Sequence, residues 1–175
     1  MKQLDGTGLK RLHRSWRQHT SRRIALVLDG VGTPVNVGAV VRSAAAFGVD
    51  RLWCAGSSAL PTSAGAAKVA LGTDRYVLWT ATPTVDEAIA AARAAGFLIV
   101  GLELADDSVP LHSRAWPDAV CLIVGHEDHG LSKGALAACD AVAYVPQVGR
   151  VGSLNVATAT AIALYELRRA EWDAE

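Results

Sequence analysis

Residues 24–42 read Ile24-Ala25-Leu26-Val27-Leu28-Asp29-Gly30-Val31-Gly32-Thr33-Pro34-Val35-Asn36-Val37-Gly38-Ala39-Val40-Val41-Arg42. Five apolar residues in a row, too few for a helix and followed by glycines, predict a strand buried on both faces, as in parallel sheets. Two glycines and a proline then turn the chain sharply, and Asn36 is placed to cap a helix beginning near Val37. A strand, a tight turn and an Ala/Val-rich helix make the first half of a crossover unit. The same alternation recurs downstream. Strands are predicted near Ile24–Leu28, Arg51–Cys54, Tyr76–Trp79, Phe97–Leu102, Val120–Val124 and Val142–Val145. Helices are predicted near Val37–Phe47, Ala64–Ala70, Thr84–Ala95, Ser132–Ala138 and Leu154–Ala170. The fold class is α/β, a mostly parallel six-stranded sheet flanked by helices.

The 175-residue length and half-apolar composition suit a single globular domain. Residues 24–175 form that domain. Residues 1–23 form a basic helical arm in which Lys2, Lys10, Arg11, Arg14, Arg17, Arg22 and Arg23 face only Asp5. The rest of the chain offsets this surplus, because the whole is neutral. Leu9, Leu12 and Trp16 recur at helical spacing, so the arm is amphipathic, with Trp16 assigned to packing. A basic arm reads equally as a solvated helix face and as a contact for nucleic acid.

Cys54, Cys121 and Cys139 are odd in number and lack metal-ligand spacing, and no apolar stretch resembles a signal peptide or membrane span. These features predict a reduced, cytoplasmic protein without a membrane partner.

In parallel α/β sheets chemistry collects in the loops that follow strands. In the first such loop, Gly30-Val31-Gly32 invites a dinucleotide reading. That reading fails because Pro34 and Val35 occupy the place of the third glycine and no acid ends the second strand. Arg42 is the lone charge on its helix and needs a wet cleft, the surface or an anionic partner. The second loop, Gly125-His126-Glu127-Asp128-His129-Gly130-Leu131-Ser132, packs four ionisable side chains into a short turn. They point in different directions and no further cluster completes a coordination sphere, so no metal is predicted. Ser132 is a candidate N-cap. The third segment, Val145-Pro146-Gln147-Val148-Gly149-Arg150-Val151-Gly152-Ser153-Leu154-Asn155-Val156, leaves a strand through a glycine-rich loop and enters a long helix. Ser153 is its expected N-cap, with Asn155 one turn in.

Together these segments resemble the SpoU, or TrmH-like, family of RNA ribose 2′-O-methyltransferases of the SPOUT class. The family pattern N-x-G-x-x-x-R is matched by Asn36, Gly38 and Arg42. The pattern G-x-E-x-x-G-[LV]-S is matched by Gly125, Glu127, Gly130, Leu131 and Ser132. The pattern P-x-x-G-x-x-x-S-L-N-V is matched by Pro146, Gly149, Ser153, Leu154, Asn155 and Val156.

The resemblance implies a C-terminal trefoil knot, a homodimer, and S-adenosylmethionine as cofactor, bound at Leu102, Glu103, Gly125, Val145, Ser153 and Leu154. It implies catalysis by Arg42, read as an electrostatic clamp because a guanidinium stays protonated, oriented by Asn36 and Glu127, with Ser153 and Asn155 completing the polar cluster. It also gives the arm cations Lys10, Arg11, Arg14, Arg17, Arg22 and Arg23, together with Arg150, a role in RNA binding. Since this chain has only a short arm where rRNA-modifying relatives often carry an extra domain, tRNA is the expected substrate, with large-subunit rRNA the alternative. A non-catalytic RNA-binding module would explain the arm but leave Asn36, Arg42 and Glu127 idle.

Overall fold

The computed structural model describes residues 3–173; Met1 and Lys2 of the basic arm, and Ala174 and Glu175, lie outside them. In chain order the elements are α1 (Gly6–Gln18), β1 (Arg23–Asp29), α2 (Pro34–Ala46), β2 (Arg51–Ala55), α3 (Ala64–Ala70), β3 (Trp79–Thr82), α4 (Val85–Ala94), β4 (Leu98–Leu102), β5 (Val109–Pro110), β6 (Ala119–Gly125), α5 (Lys133–Ala138), β7 (Ala141–Tyr144) and α6 (Val156–Trp172). The strands form one sheet in the order β3-β2-β1-β6-β4-β7-β5. Every pairing in it is parallel.

Because side chains alternate along a strand, the apolar runs serve two cores at once. Ile24, Leu26 and Leu28 of β1 and Val120, Leu122 and Val124 of β6 face α2, α3 and α6. Ala25, Val27, Cys121 and Ile123 face α4 and α5. Helices α2 and α3 approach closely because Gly38 lacks a side chain; a Cβ there would overlap the Ala66 carbonyl.

The sheet has seven strands rather than the six expected. The added one, β5, is a two-residue edge strand ending in proline, which an edge tolerates because only one side of the backbone must pair. The third strand is also displaced. Thr73–Tyr76 is a 3₁₀ turn entered through Gly72 at φ +77°, and pairing with β2 begins only at Trp79, opposite Leu52. Tyr76 and Leu78, whose β-propensity and apolar character suggested the earlier start, are both exposed.

At the amino-terminal edge of the sheet, the buried guanidinium of Arg168 in α6 donates to the carbonyls of Arg22, Phe47 and Gly48 and pairs with Glu171 at 3.0 Å. Glu171 in turn accepts from the amides of Ser21 and Arg22. Helix α1 docks beside this clasp. Trp16 lies 4.8 Å from Trp172 between ring centroids, the packing role expected of it, and no residue of α1 is fully buried.

Candidate active site

A cavity of about 620 Å³ opens at the carboxyl ends of β6, β4 and β7 and is closed by the start of α6. All six positions expected to hold a cofactor, Leu102, Glu103, Gly125, Val145, Ser153 and Leu154, line it, as do Glu127 and Asn155. Residues distant in sequence converge here because the strand order brings the loop after β6 against the loop after β1.

The loop after β6 is built to a tight tolerance. His126 and Gly130 exchange two backbone hydrogen bonds at 3.0 and 2.9 Å, closing a small antiparallel bridge. Gly130 adopts φ +66°, and a Cβ on Gly125 would overlap the Gly130 backbone, so both glycines are required by the turn itself. Two carboxylates hold the loop's exit. Glu103 accepts from the Leu131 amide at 3.0 Å, and Asp29 at the end of β1 accepts from the Ser132 amide at 2.8 Å. Ser132 then caps α5 as expected, accepting from the Ala135 amide. Asp29 was not among the residues singled out from sequence; its place at the carboxyl end of the first strand was the available signal. The rings of His126 and His129 stack at 4.8 Å on the cavity wall.

Glu127, at the tip of this loop, reaches across to the amino terminus of α2. Its carboxylate accepts from the Gly32 amide at 3.2 Å, the Thr33 amide at 3.0 Å and the Asn36 Nδ2 at 2.8 Å. The Asn36 Oδ1 accepts from the Asn155 Nδ2 at 3.0 Å, and the Asn155 Oδ1 accepts from the amides of Ala157 and Thr158. One relay therefore ties together all three sequence segments. Burial pulls the Glu127 pKa up, but the hydrogen bonds from Asn36, from its own amide and from Thr33 outweigh it and bring the pKa down to about 2. The positive end of the α2 dipole favours the same anion.

Two capping expectations are corrected by this relay. Asn36 does not cap α2; the helix starts earlier, at Pro34, with Thr33 as N-cap, because proline at a first helical position loses no hydrogen bond. Asn36 is thereby freed to meet Glu127. Ser153 does not cap α6 either. Asn155 does, and Ser153 and Leu154 remain in the preceding loop.

Arg42 lies outside the relay, so Asn36 and Glu127 do not contact and orient it as expected. Six residues after Asn36 it points about 120° away around α2. It is exposed and makes no hydrogen bond or ion pair among the described residues. Ser153 and Arg150 are likewise exposed.

The arm cations divide into two groups. Lys10, Arg11, Arg14 and Arg17 project from α1 into solvent, whereas Arg22 pairs with Asp118 at 3.4 Å and Arg23 pairs with Asp50 at 3.0 Å while stacking on Phe97. The α1 docking point lies roughly 25 Å from the cavity, one length of α6. On the cavity wall Gln147 carries a buried carboxamide oxygen with no hydrogen-bond partner. All three thiols are free, and burial pushes Cys54 up to about 12 and Cys139 to about 11, far from nucleophilic. No group of side chains suited to a metal ion occurs among the described residues, nor does any helix long and apolar enough to cross a membrane.

The profile of the SpoU rRNA Methylase family matches residues 23–165. The chain is 31% identical over 153 residues to a 23S rRNA (guanosine-2′-O-)-methyltransferase of Acinetobacter baylyi, covering 87% of this chain and 62% of that one. It is 31% identical over 147 residues to the tRNA (guanosine(18)-2′-O)-methyltransferase of Escherichia coli, covering 83% and 63%. The chain thus spans about three-fifths of the length of these curated relatives. Among solved structures, the SpoU methyltransferase AviRb of Streptomyces viridochromogenes in complex with the cofactor AdoMet superposes with a TM-score of 0.77 at 27% identity, covering 85% of this chain and 60% of that one.

Proposed function

Because this chain belongs to the SpoU rRNA Methylase family, we propose that it transfers a methyl group from S-adenosylmethionine to a ribose 2′-hydroxyl of RNA. The observation that carries the reading is the Glu127–Asn36–Asn155 relay, which joins the three family segments at the mouth of one cavity. A non-catalytic RNA-binding module needs neither the relay nor the cavity.

The residues present fit the cofactor. The cavity has the size of a small-molecule site, which ranges from about 300 to 1,000 Å³, and its wall holds an unpaired carboxamide suited to a polar ligand. Leu102, Glu103, Gly125, Val145, Ser153 and Leu154 are the residues that would hold S-adenosylmethionine, which when bound supplies an electrophilic methyl group. Both Glu103 oxygens already accept from backbone amides, so its work is to fix the cavity wall.

Arg42 is the catalytic side chain of this proposal. A guanidinium stays protonated in proteins, which makes it a poor base and a good clamp. Exposed and unpaired, it is available to grip the RNA phosphate beside the reacting ribose and to favour the developing alkoxide. The relay supports this work by fixing α2, on which Arg42 stands, against the cavity. Ser153 and Asn155 border the place of the ribose.

Lys10, Arg11, Arg14, Arg17 and Arg150 are the cations left to meet backbone phosphates, with Arg22 and Arg23 contributing less because the fold already engages them. tRNA is the substrate we favour, supported by likeness to the Escherichia coli tRNA enzyme. Equal identity to an rRNA enzyme makes large-subunit rRNA the second reading. A C-terminal trefoil knot and a homodimer belong to the same proposal. The half-exposed Ile162 and Tyr165 of α6 supply an apolar face for the dimer, and three free thiols suit a cytoplasmic location.

Arg42→Lys tests the clamp. The expected result is a fall in turnover of roughly tenfold or more with little change in RNA affinity; full turnover by the lysine variant refutes a bidentate role.

A further inference from the structure

The reaction outlined above leaves one proton without a destination. The ribose hydroxyl must lose its hydrogen as its oxygen takes up the methyl group, and Arg42, always protonated, cannot receive it. Among the described residues, the titratable side chains lining the cavity are Glu103, His126, Glu127, Asp128, His129 and Tyr144. Both oxygens of Glu103 accept backbone amides. Glu127 accepts three hydrogen bonds and, with its pKa at about 2, holds a proton poorly near neutrality. Tyr144 is a phenol, protonated in the same range. Asp128 is an exposed carboxylate, and in water a carboxylate is a far weaker base than imidazole. His126 accepts the Asp128 amide on Nδ1 at 3.0 Å, so its other nitrogen carries the hydrogen of the neutral ring.

His129 differs from all of these. It is exposed, its ring stacks on that of His126 at 4.8 Å with 24° between the planes, and neither of its nitrogens makes a hydrogen bond among the described residues. The stack steadies the ring without engaging its lone pair. Because the Asp128 amide favours the neutral form of His126, no cation beneath the stack opposes a proton arriving on His129. The turn that carries His129 is also tied to the reacting side of the cavity. The His126–Gly130 bridge closes it around Glu127 and His129, and the relay from Glu127 through Asn36 fastens it to Asn155. Ser153 and Asn155, which border the place of the ribose, line the same cavity.

Resting on the methyltransferase reading, we propose that His129 is the general base for the ribose hydroxyl. A ring nitrogen of His129 takes the hydroxyl proton as the ribose oxygen bonds the methyl carbon and the carbon–sulfur bond breaks, its electron pair going to sulfur. The positive charge of the sulfonium thus reappears as imidazolium, which then returns its proton to water. The two functions divide between two side chains: Arg42 grips the phosphate and His129 receives the proton. Imidazole suits the second task because its protonation changes near neutral pH.

Single-turnover methyl transfer to tRNA and 23S rRNA, followed from about pH 5.5 to about pH 9 with wild type and His129→Gln, tests this. Glutamine keeps polar atoms at a similar reach but cannot take up a proton. The wild-type rate is expected to rise with pH and level off. His129→Gln is expected to be slower by roughly 100-fold or more near neutrality and to lose the plateau, its rate still climbing at the alkaline end. Affinities for S-adenosylhomocysteine and RNA, measured by calorimetry, are expected to stay within about threefold of wild type. A variant rate within about threefold of wild type, an unchanged pH profile, or a rate loss matched by lost RNA affinity overturns the assignment and leaves the methyltransferase reading in place. Failure of wild type to methylate either RNA at any pH overturns that reading as well.

Discussion

Replacing Glu127 by glutamine removes the charge at the centre of the relay while preserving its shape. The carboxylate accepts three hydrogen bonds, from Gly32, Thr33 and Asn36. A carboxamide has one acceptor oxygen, and its NH₂ group would face donors, leaving at least one of them without a partner. A pKa lowered from 4.5 to about 2 corresponds to about 3 kcal/mol of native-state stabilisation of the anion. Glu127 is only partly buried, so solvent screening reduces the expected loss in Glu127→Gln to about 2 kcal/mol at pH 7. In thermal unfolding that is a drop of about 4–8 °C.

The pH dependence gives a second check. Because the folded pKa is depressed, the stabilisation is fully present above the unfolded value near 4.5 and is lost as pH falls through about 2. Urea unfolding of wild type and variant at pH 7 and pH 3 should therefore show a difference that narrows to less than half. Taking the difference between the two proteins cancels the contributions of Glu166 and Glu171, whose pKa values are also lowered. Equal stability at pH 7, or a difference that ignores pH, refutes the reasoning.

Gly125→Ala places a methyl group on the Gly130 backbone and should cost about 2 kcal/mol and abolish cofactor binding. Gly149→Ala, with no atom within 4 Å, should leave stability unchanged; chemical denaturation with calorimetry checks both. Changing Lys10, Arg11, Arg14 and Arg17 together to glutamine should lower the slope of log affinity against log salt by up to about 3 without altering S-adenosylhomocysteine affinity. An unchanged slope removes the arm from RNA binding.

The crossover architecture was legible because buried parallel strands need unbroken apolar runs, and β1 and β6 have them. Strand β5 was not, because two edge residues carry no periodic signal, and β3 was displaced because exposed Tyr76 and Leu78 imitate a buried strand. At the site, the glycines announced a tight loop and the three segments announced one another. Ser132 caps α5 as its position suggested, whereas the caps assigned to Asn36 and Ser153 failed for a physical reason. An asparagine near a helix start can satisfy either backbone amides or a distant side chain, and local sequence cannot say which. Asn36 took the distant partner and Asn155 took both. Asp29 escaped notice because its partner, the Ser132 amide, lies 103 residues away.

The most direct test of the central claim is methyl transfer to a ribose. Purified protein, labelled S-adenosylmethionine and unmodified tRNA or 23S rRNA should yield label in dinucleotides that resist alkaline hydrolysis, since a 2′-O-methyl group blocks cleavage at the adjacent phosphate. Arg42→Ala should reduce that label at least a hundredfold. Label confined to alkali-labile nucleotides, or none with any RNA despite cofactor binding, contradicts the account.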